Sequence, residues 1–510
     1  MNCYTGRSPY LRRPMDFPLI LDRESQEPLH RQLTAAMKEA ITSGRLCAGQ
    51  GLPSSRELAS ALGVSRDTVV RSYQDLTSQG YISLVPNCGT FVSVKPLTSD
   101  SKLKTSGLME ASEAELLSQA TSAGLSDFAR RLLSSSYAGA TAADLPNLNY
   151  GAAPRDALPF KIWRQLLSQR SSINKSDSEF LDFDANEIFG YEPLREQVCR
   201  FLNLAKGLHC DPSQVVVFTD SQSGLDLIAR VLINPGDLVV LENPGYSGAR
   251  ELFQAYGAEI SYVPVDENGL NTALLPVPAQ PCKLIYVSPS HQDPTGAVLT
   301  LSRRKELLAW AEKHCRFIVE DAFDSDYNYS ANSLPALQGM TGSTPVLYLY
   351  SFWKLLFPLV STGCLVLPEP LVSAFGRAKR YVDRNFSLTE HQALSDFLAE
   401  GHLERHIYKT RQLYRRRRQA LIFALKQILG AAVRIPRESG GLHLSLHLSL
   451  PCSQEQVLDS ARRVGLMLVS ASPYYAGGGP EEEYLVDFAG LPEEQSLAVV
   501  SAFAGNLELL

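Results

Sequence analysis

Three side chains near the start of one short segment carry the first chemical signal. Arg66, Thr68 and Arg71 place a cation, a hydroxyl and a second cation close together. Guanidinium groups donate to phosphate oxygens and to guanine edges, and a hydroxyl can meet phosphate or base. A second basic set is Arg405, Lys409, Arg411 and the run Arg415 to Arg418, on one long helical stretch. It reads first as a solvated face and second as a contact to nucleic-acid backbone, which adds affinity without sequence information. His402, His406, His443 and His447 show no metal-ligand companions by spacing. Partly exposed histidines and no metal site are expected. His443 and His447 alternate with leucines, so both fall on one face of a strand.

The elements around the first cluster are those a DNA reader needs. Leu29, Leu33, Ala36, Met37, Ala40 and Ile41 make one helical face that stops near Gly44. Ser54-x-x-Glu57 reads as a capping box, and Leu58, Ala61 and Leu62 follow as an apolar stripe. Gly63 can take the left-handed conformation that ends this helix. Ser65 caps the next one, with Asp67 in its first turn. Val69, Val70, Tyr73 and Leu76 face inward, which leaves Arg66, Thr68, Arg71 and Ser72 on or near the outward surface. Two β-rich runs around Pro86 to Gly89 form a hairpin, or wing. Two helices across a tight glycine turn are the parts of a helix-turn-helix, whose second helix enters the major groove by its N-terminal residues. A small helical protein-interaction domain would share the same periodicity.

The chain has 510 residues, too many for one ordinary core. Its net charge is −6, so the whole molecule is no general polyanion binder. Residues 1–95 carry 11 basic and 8 acidic side chains, and the remainder carries 37 and 46. A mildly basic head on an acidic body suits a separate DNA-binding module. The nine cysteines form no Cys-x-x-Cys pair, so a disulfide framework or zinc site is not expected and a reducing cytoplasm is. No apolar run suits a signal peptide or a membrane span. Residues 95–145 are rich in Ser, Ala, Thr and Gly and read as a flexible linker with helical patches at 113–119 and 128–133.

From Pro146 onward, short apolar runs alternate with helical ones. Val215–Phe218, Leu238–Leu241, Lys283–Val287, Phe317–Val319 and Val346–Tyr350 have the character of buried strands. The alternation predicts a mostly parallel α/β sheet. A Gly-x-Gly-x-x-Gly dinucleotide fingerprint is absent.

Two resemblances then organise the chain. Residues 29–93 resemble the GntR-type winged helix. This implies DNA contacts by Arg56, Ser65, Arg66, Thr68 and Arg71, and by the wing at Gly89 and Thr90. Asn87 stands where that family's wing usually has glycine. The body, from about 146 to 505, resembles the fold-type I aminotransferases that bind pyridoxal phosphate (PLP), specifically the MocR/GabR regulators. Glu242-Asn-Pro-Gly-Tyr246, Ser288-Pro-Ser-His-Gln-Asp-Pro-Thr-Gly296, Val319-Glu-Asp321, Tyr350-Ser-Phe-Trp-Lys354, Leu356-Phe-Pro358 and Glu400-Gly-His-Leu-Glu-Arg-His406 match in order and spacing.

PLP needs an amine for its aldehyde, an acid at its ring nitrogen, a stacking partner and donors for its phosphate. By position the resemblance makes Lys354 the Schiff-base lysine, Asp321 the acid, Tyr246 the stacking ring and Ser351 a phosphate contact. Ser221 and Gln222 fall at the phosphate loop, and Asp293, in the Asp-Pro-Thr-Gly stretch, is a further cofactor-binding position. Several positions depart from the family pattern. Asp220 stands for a loop glycine, Ser361 for a phosphate-pairing arginine and Phe323 for the tyrosine at the ring oxygen. Asp293 replaces an asparagine, Leu485 replaces the arginine that clamps a substrate carboxylate, and Trp353 replaces a small residue.

The expected fold class is an α+β winged helix-turn-helix joined by a linker to an α/β PLP-dependent-transferase-like domain. Its boundaries are 1–94 for the head, 95–145 for the linker and 146–510 for the body, whose small part starts near 371. The expected function is a cytoplasmic homodimeric transcription regulator that binds a double-stranded DNA operator. PLP or a PLP-derived small-molecule effector switches it. A regulator with a degenerate pocket, and an active aminotransferase, are the alternatives.

Overall fold

The computed structural model describes residues 21–23, 25, 27–47, 49–85, 89–93, 124–133, 153–171, 188–279, 281–329, 334–340, 345–383, 386–436 and 440–509. The chain divides into two compact units, Met1–Ala111 and Ser112–Leu510. Among the described residues, no helix is long and apolar enough to cross a membrane. The helical patch expected at 113–119, Asn87 and most of the 95–145 segment lie outside the described residues.

In the first unit, α1 (Leu29–Thr42), α2 (Ser55–Leu62) and α3 (Arg66–Ser78) pack around Leu33, Met37, Leu58, Val69 and Leu76. The strands β1 (Gly51–Leu52), β2 (Ile82–Val85) and β3 (Gly89–Val92) form an antiparallel sheet in the order β1-β3-β2. The β2–β3 hairpin is the wing.

The second unit is built on an eight-stranded sheet in the order β4-β11-β10-β9-β8-β5-β6-β7. These strands are β4 (Val215–Phe218), β5 (Leu238–Asn243), β6 (Glu259–Asp266), β7 (Gly269–Leu270), β8 (Cys282–Val287), β9 (Cys315–Asp321), β10 (Val346–Ser351) and β11 (Gly363–Val366). The central ladders β6-β5-β8-β9-β10 are parallel, and β11 runs antiparallel to both neighbours. Alternate residues go to opposite faces. In β10, Tyr348 and Tyr350 enter one core cluster and Leu347 and Leu349 another. Burial on both faces explains why these strands read as unbroken apolar runs. A smaller antiparallel sheet, in the order β12-β13-β15-β14, comprises β12 (Val433–Arg434), β13 (His443–Leu448), β14 (Leu468–Ser470) and β15 (Glu483–Asp487).

Within the segment read as a linker, the helical patch expected at 128–133 forms and is docked. Helix Asp127–Leu133 packs on helix Ser247–Ala255. Phe128 meets the Tyr256 ring edge-on at 4.9 Å, and Arg131 donates to the Ala255 carbonyl at 2.9 Å.

Candidate functional site

The helix-turn-helix is assembled by local hydrogen bonds. The Ser54 side chain accepts from Glu57 N and the Glu57 side chain from Ser54 N, which closes the capping box of α2. Gly63 ends that helix at φ +64°, where a side chain would be strained. Ser65 caps α3 by accepting from Thr68 N at 3.1 Å, and its hydroxyl also meets the Thr68 hydroxyl at 2.8 Å. Arg56, Ser65, Arg66, Arg71 and Gly89 are exposed, and Thr68 and Thr90 are half-buried. Arg66 Nε lies 3.4 Å from the Ser55 hydroxyl, so α2 steers one of the cations. Ser72 is a correction. It is fully buried and its hydroxyl pairs with Thr34 of α1 at 3.0 Å, so it joins the two helices rather than facing outward.

In the second unit the candidate residues collect where the parallel strands end, the usual ligand edge of an open α/β sheet. Asp321 is the last residue of β9 and lies two residues in register from the end of β10, opposite Leu349. Ser351 ends β10, and Lys354 follows on the short helix Trp353–Leu356. Asp321 is buried. It accepts a short hydrogen bond from the Tyr286 hydroxyl of β8 and one of 3.0 Å from Phe323 N. Burial pushes its carboxyl up to about 6, against the pull of those two bonds and of the Lys354 ammonium. The Lys354 ammonium also lowers the carboxyls of Asp293 and Asp324, which burial raises to about 7. Lys354 is thus near enough for its charge to act on Asp321, Asp293 and Asp324 alike. The Lys354 amine lies 5.2 Å from the Trp353 ring centre and 5.7 Å from that of Phe323.

Tyr246 and Gln222 are brought together, with the tyrosine hydroxyl donating to Gln222 Oε1 at 3.1 Å. Ser351 is buried, and its hydroxyl accepts from Trp353 N at 3.2 Å. Ser221 opens helix Ser221–Leu232, which packs close to β4 because a side chain at Gly224 would stand 2.5 Å from the Phe218 ring. Asp220 is the N-cap of that helix. Its Oδ1 accepts from Ser223 N at 2.8 Å and from the Ser223 hydroxyl at 2.9 Å. A carboxylate thus already holds two donors at the helix terminus where an anion would dock. Leu485 is fully buried in β15 and offers no charge.

Spacing along the chain missed four groups. Tyr286 holds Asp321. Glu242 is buried at the end of β5 with its carboxyl pushed up to about 8 by burial, against donors at Ser288 N and Gln292. His291 and Asp324 are buried beside His443. All four lie in or next to motifs quoted above, and their partners come from other strands. The histidine expectation is corrected with them. His406 and His443 are buried, and His443 has two companions that its own strand could not reveal. The basic run is also corrected. Arg415 and Arg416 face solvent, whereas Arg417 and Arg418 are buried. Arg417 bonds to Asp156 and the Ala489 carbonyl, and Arg418 lies over the Tyr329 ring.

Comparison with known proteins matches these parts. Residues 29–92 match the family model of bacterial regulatory proteins, gntR family. Residues 147–500 match aminotransferase class I and II. Among curated relatives, the chain is 31% identical to the uncharacterized HTH-type transcriptional regulator YhdI of Bacillus subtilis, over 94% of this chain and 96% of that one. It is 30% identical to the probable rhizopine catabolism regulatory protein MocR of Rhizobium meliloti, over 93% and 92%. Among solved structures, LysN, the alpha-aminoadipate aminotransferase of Thermus thermophilus, superposes with a TM-score of 0.66 at 24% identity, over 76% of this chain and 98% of that one. The chain belongs to the MocR-type transcriptional regulators, in which a gntR-family helix-turn-helix is joined to a class I and II aminotransferase fold.

Proposed function

We propose that the body of this regulator senses PLP, or a close derivative, and passes its occupancy to the DNA-reading head without catalysing amino-group transfer. One observation supports the reading: Asp321 is buried at the end of β9, and Lys354, just past the end of the neighbouring parallel strand β10, is near enough for its charge to pull the Asp321 carboxyl down. PLP supplies an aldehyde and an electron-withdrawing ring. Were PLP bound, Lys354 would be the amine for its aldehyde, Asp321 would favour a protonated ring nitrogen, Tyr246 would stack on the ring and Asp293 would be a further contact. Ser221, Gln222 and Ser351 are the phosphate donors.

The donor set fits the ring end better than the phosphate end. Asp220 places negative charge where the phosphate would sit, and Ser361 supplies no compensating cation. This favours a second reading, a pocket that has moved to an effector without phosphate. Transamination is disfavoured by Leu485, since an apolar side chain cannot hold a substrate carboxylate.

On the DNA side, Arg56, Ser65, Arg66, Thr68, Arg71, Gly89 and Thr90 meet the operator. In a cytoplasmic homodimer, two such heads read half-sites set by the dimer, and ligand binding shifts the spacing they accept. Two measurements test the proposal. Full-length protein titrated with PLP should gain a visible absorption band that Lys354→Ala lacks. No band at saturating PLP leaves only the second reading, and amino-group transfer from common amino acids would make the body an enzyme. In a gel shift, Arg66→Ala should weaken operator binding by roughly tenfold, about the value of one good base or phosphate contact. An unchanged shift would remove α3 from the interface.

A further inference from the structure

One buried cluster beside Lys354 takes no part in the contacts assigned above. His291, in the loop after β8, Asp324, in the loop after β9, and His443, at the start of β13, place one ligand atom each within 4.8 Å of one another. All three residues are buried. Both ring nitrogens of His291 and Oδ1 of Asp324 have no hydrogen-bond partner among the described residues. Buried polar atoms left this way are rare and ask for an explanation such as an ion. The closest approach of His291 Nε2 to Asp324 Oδ2 is 3.8 Å, beyond hydrogen-bond reach.

The surrounding groups orient the cluster. His443 Nε2 donates to the Pro294 carbonyl at 3.0 Å, so the lone pair of a neutral ring is on Nδ1. Metal-binding histidines are commonly held by such a second bond. Asp324 Oδ2 accepts from Leu442 N at 3.1 Å, which ties the carboxylate to the strand that carries His443. No side chain can fill the space beside His291. A Cβ at Gly441, where φ is +79°, would stand 2.1 Å from His291 Nε2 and 2.8 Å from Asp324 Oδ2. One at Gly440 would stand 3.1 Å from His291 Nδ1.

We propose that His291, Asp324 and His443 bind one divalent transition-metal cation of the zinc, cobalt or nickel kind. Two imidazoles with one carboxylate suit these ions, whereas magnesium and calcium take oxygen sets. Zinc bonds of about 2.0–2.1 Å put tetrahedral donors about 3.3 Å apart, so the cluster contracts by up to about 1.5 Å on binding. Three protein ligands leave a fourth position for water or for an anionic effector. The site does not rest on the PLP reading. The Lys354 ammonium acts on all three ligands and opposes a cation there.

The test uses full-length protein, stripped with a chelator and free of PLP, titrated with Co2+. A visible band should saturate at one equivalent per chain. His291→Gln should abolish it, and the isosteric Asp324→Asn should weaken binding at least thirtyfold. His447→Gln, a control on the same strand, should leave it unchanged, and Lys354→Ala should tighten it severalfold. If His291→Gln does not fold, Zn2+ must still raise the unfolding temperature of the wild-type chain and fail to raise that of Asp324→Asn. The absence of a saturable band overturns the proposal. So does a band that survives His291→Gln or Asp324→Asn, or an unfolding temperature that Zn2+ leaves unmoved. Loss of the band in Lys354→Ala assigns it to the cofactor end and also overturns the proposal.

Discussion

Where β9 and β10 end, a buried carboxylate feels the charge of a nearby amine. Where β4 ends, a carboxylate turns onto its own helix and takes the donors that an anion would use. At the first place Asp321 accepts from Tyr286 and Phe323 N, and burial raises its carboxyl to about 6. At the second, Asp220 is spent on folding, as a cap that contributes about 0.5–2 kcal/mol to the helix. The difference is between a buried carboxylate left beside an amine and a carboxylate committed to capping its own helix.

The largest expected effect comes from reversing the second region. Unit charges about 6 Å apart at an effective dielectric of about 20 interact by roughly 2–3 kcal/mol. Asp220→Gly combined with Ser361→Arg should then tighten PLP by up to about three to four decades. Asp220→Gly alone should give up to about two decades, and since glycine is tolerated as an N-cap, helix stability should fall by only a few tenths of a kcal/mol. Absorption titrations of the two variants check both values. Unchanged affinity would mean that the phosphate end lies elsewhere.

A smaller effect tests the first region. Burial pushes the carboxyls of Glu242 to about 8 and of Asp293 and Asp324 to about 7. These folded values lie above the unfolded ones, so the folded body holds protons that the unfolded chain releases, and stability falls as pH rises through the window. His443 is pushed down to about 4, and its stabilising contribution is lost as pH falls from 6.5 toward 4. Between about pH 6.5 and 8 the carboxyls therefore act without that opposition. Thermal unfolding of the cofactor-free chain should weaken across this interval, and Asp293→Asn should flatten the slope by up to one proton. A rise in stability over the same interval would contradict the burial of these groups.

The parts legible in the sequence are those fixed by short-range contacts. The capping box of Ser54 and Glu57, the Gly63 stop and the Ser65 cap all close within a few residues, and each forms as its spacing predicts. The five apolar runs are strands because burial on both faces leaves no polar alternation to confuse with a helix. The misreadings have partners far along the chain. Ser72 looks outward on a helical period and pairs with Thr34, 38 residues away. His443 bonds to Pro294, 149 residues away, and Arg417 to Asp156, 261 residues away. Periodicity along one element cannot report what another element brings to it.

The contrast between the two ends is tested most directly by titrating the wild-type chain with PLP and with 5′-deoxypyridoxal, which keeps the aldehyde and ring but lacks the phosphate. If the ring end provides the grip and Asp220 cancels the phosphate end, the two dissociation constants should agree within about tenfold, and both bands should vanish in Lys354→Ala. PLP binding a thousandfold tighter than its phosphate-free analogue would show an intact phosphate cradle and contradict the account.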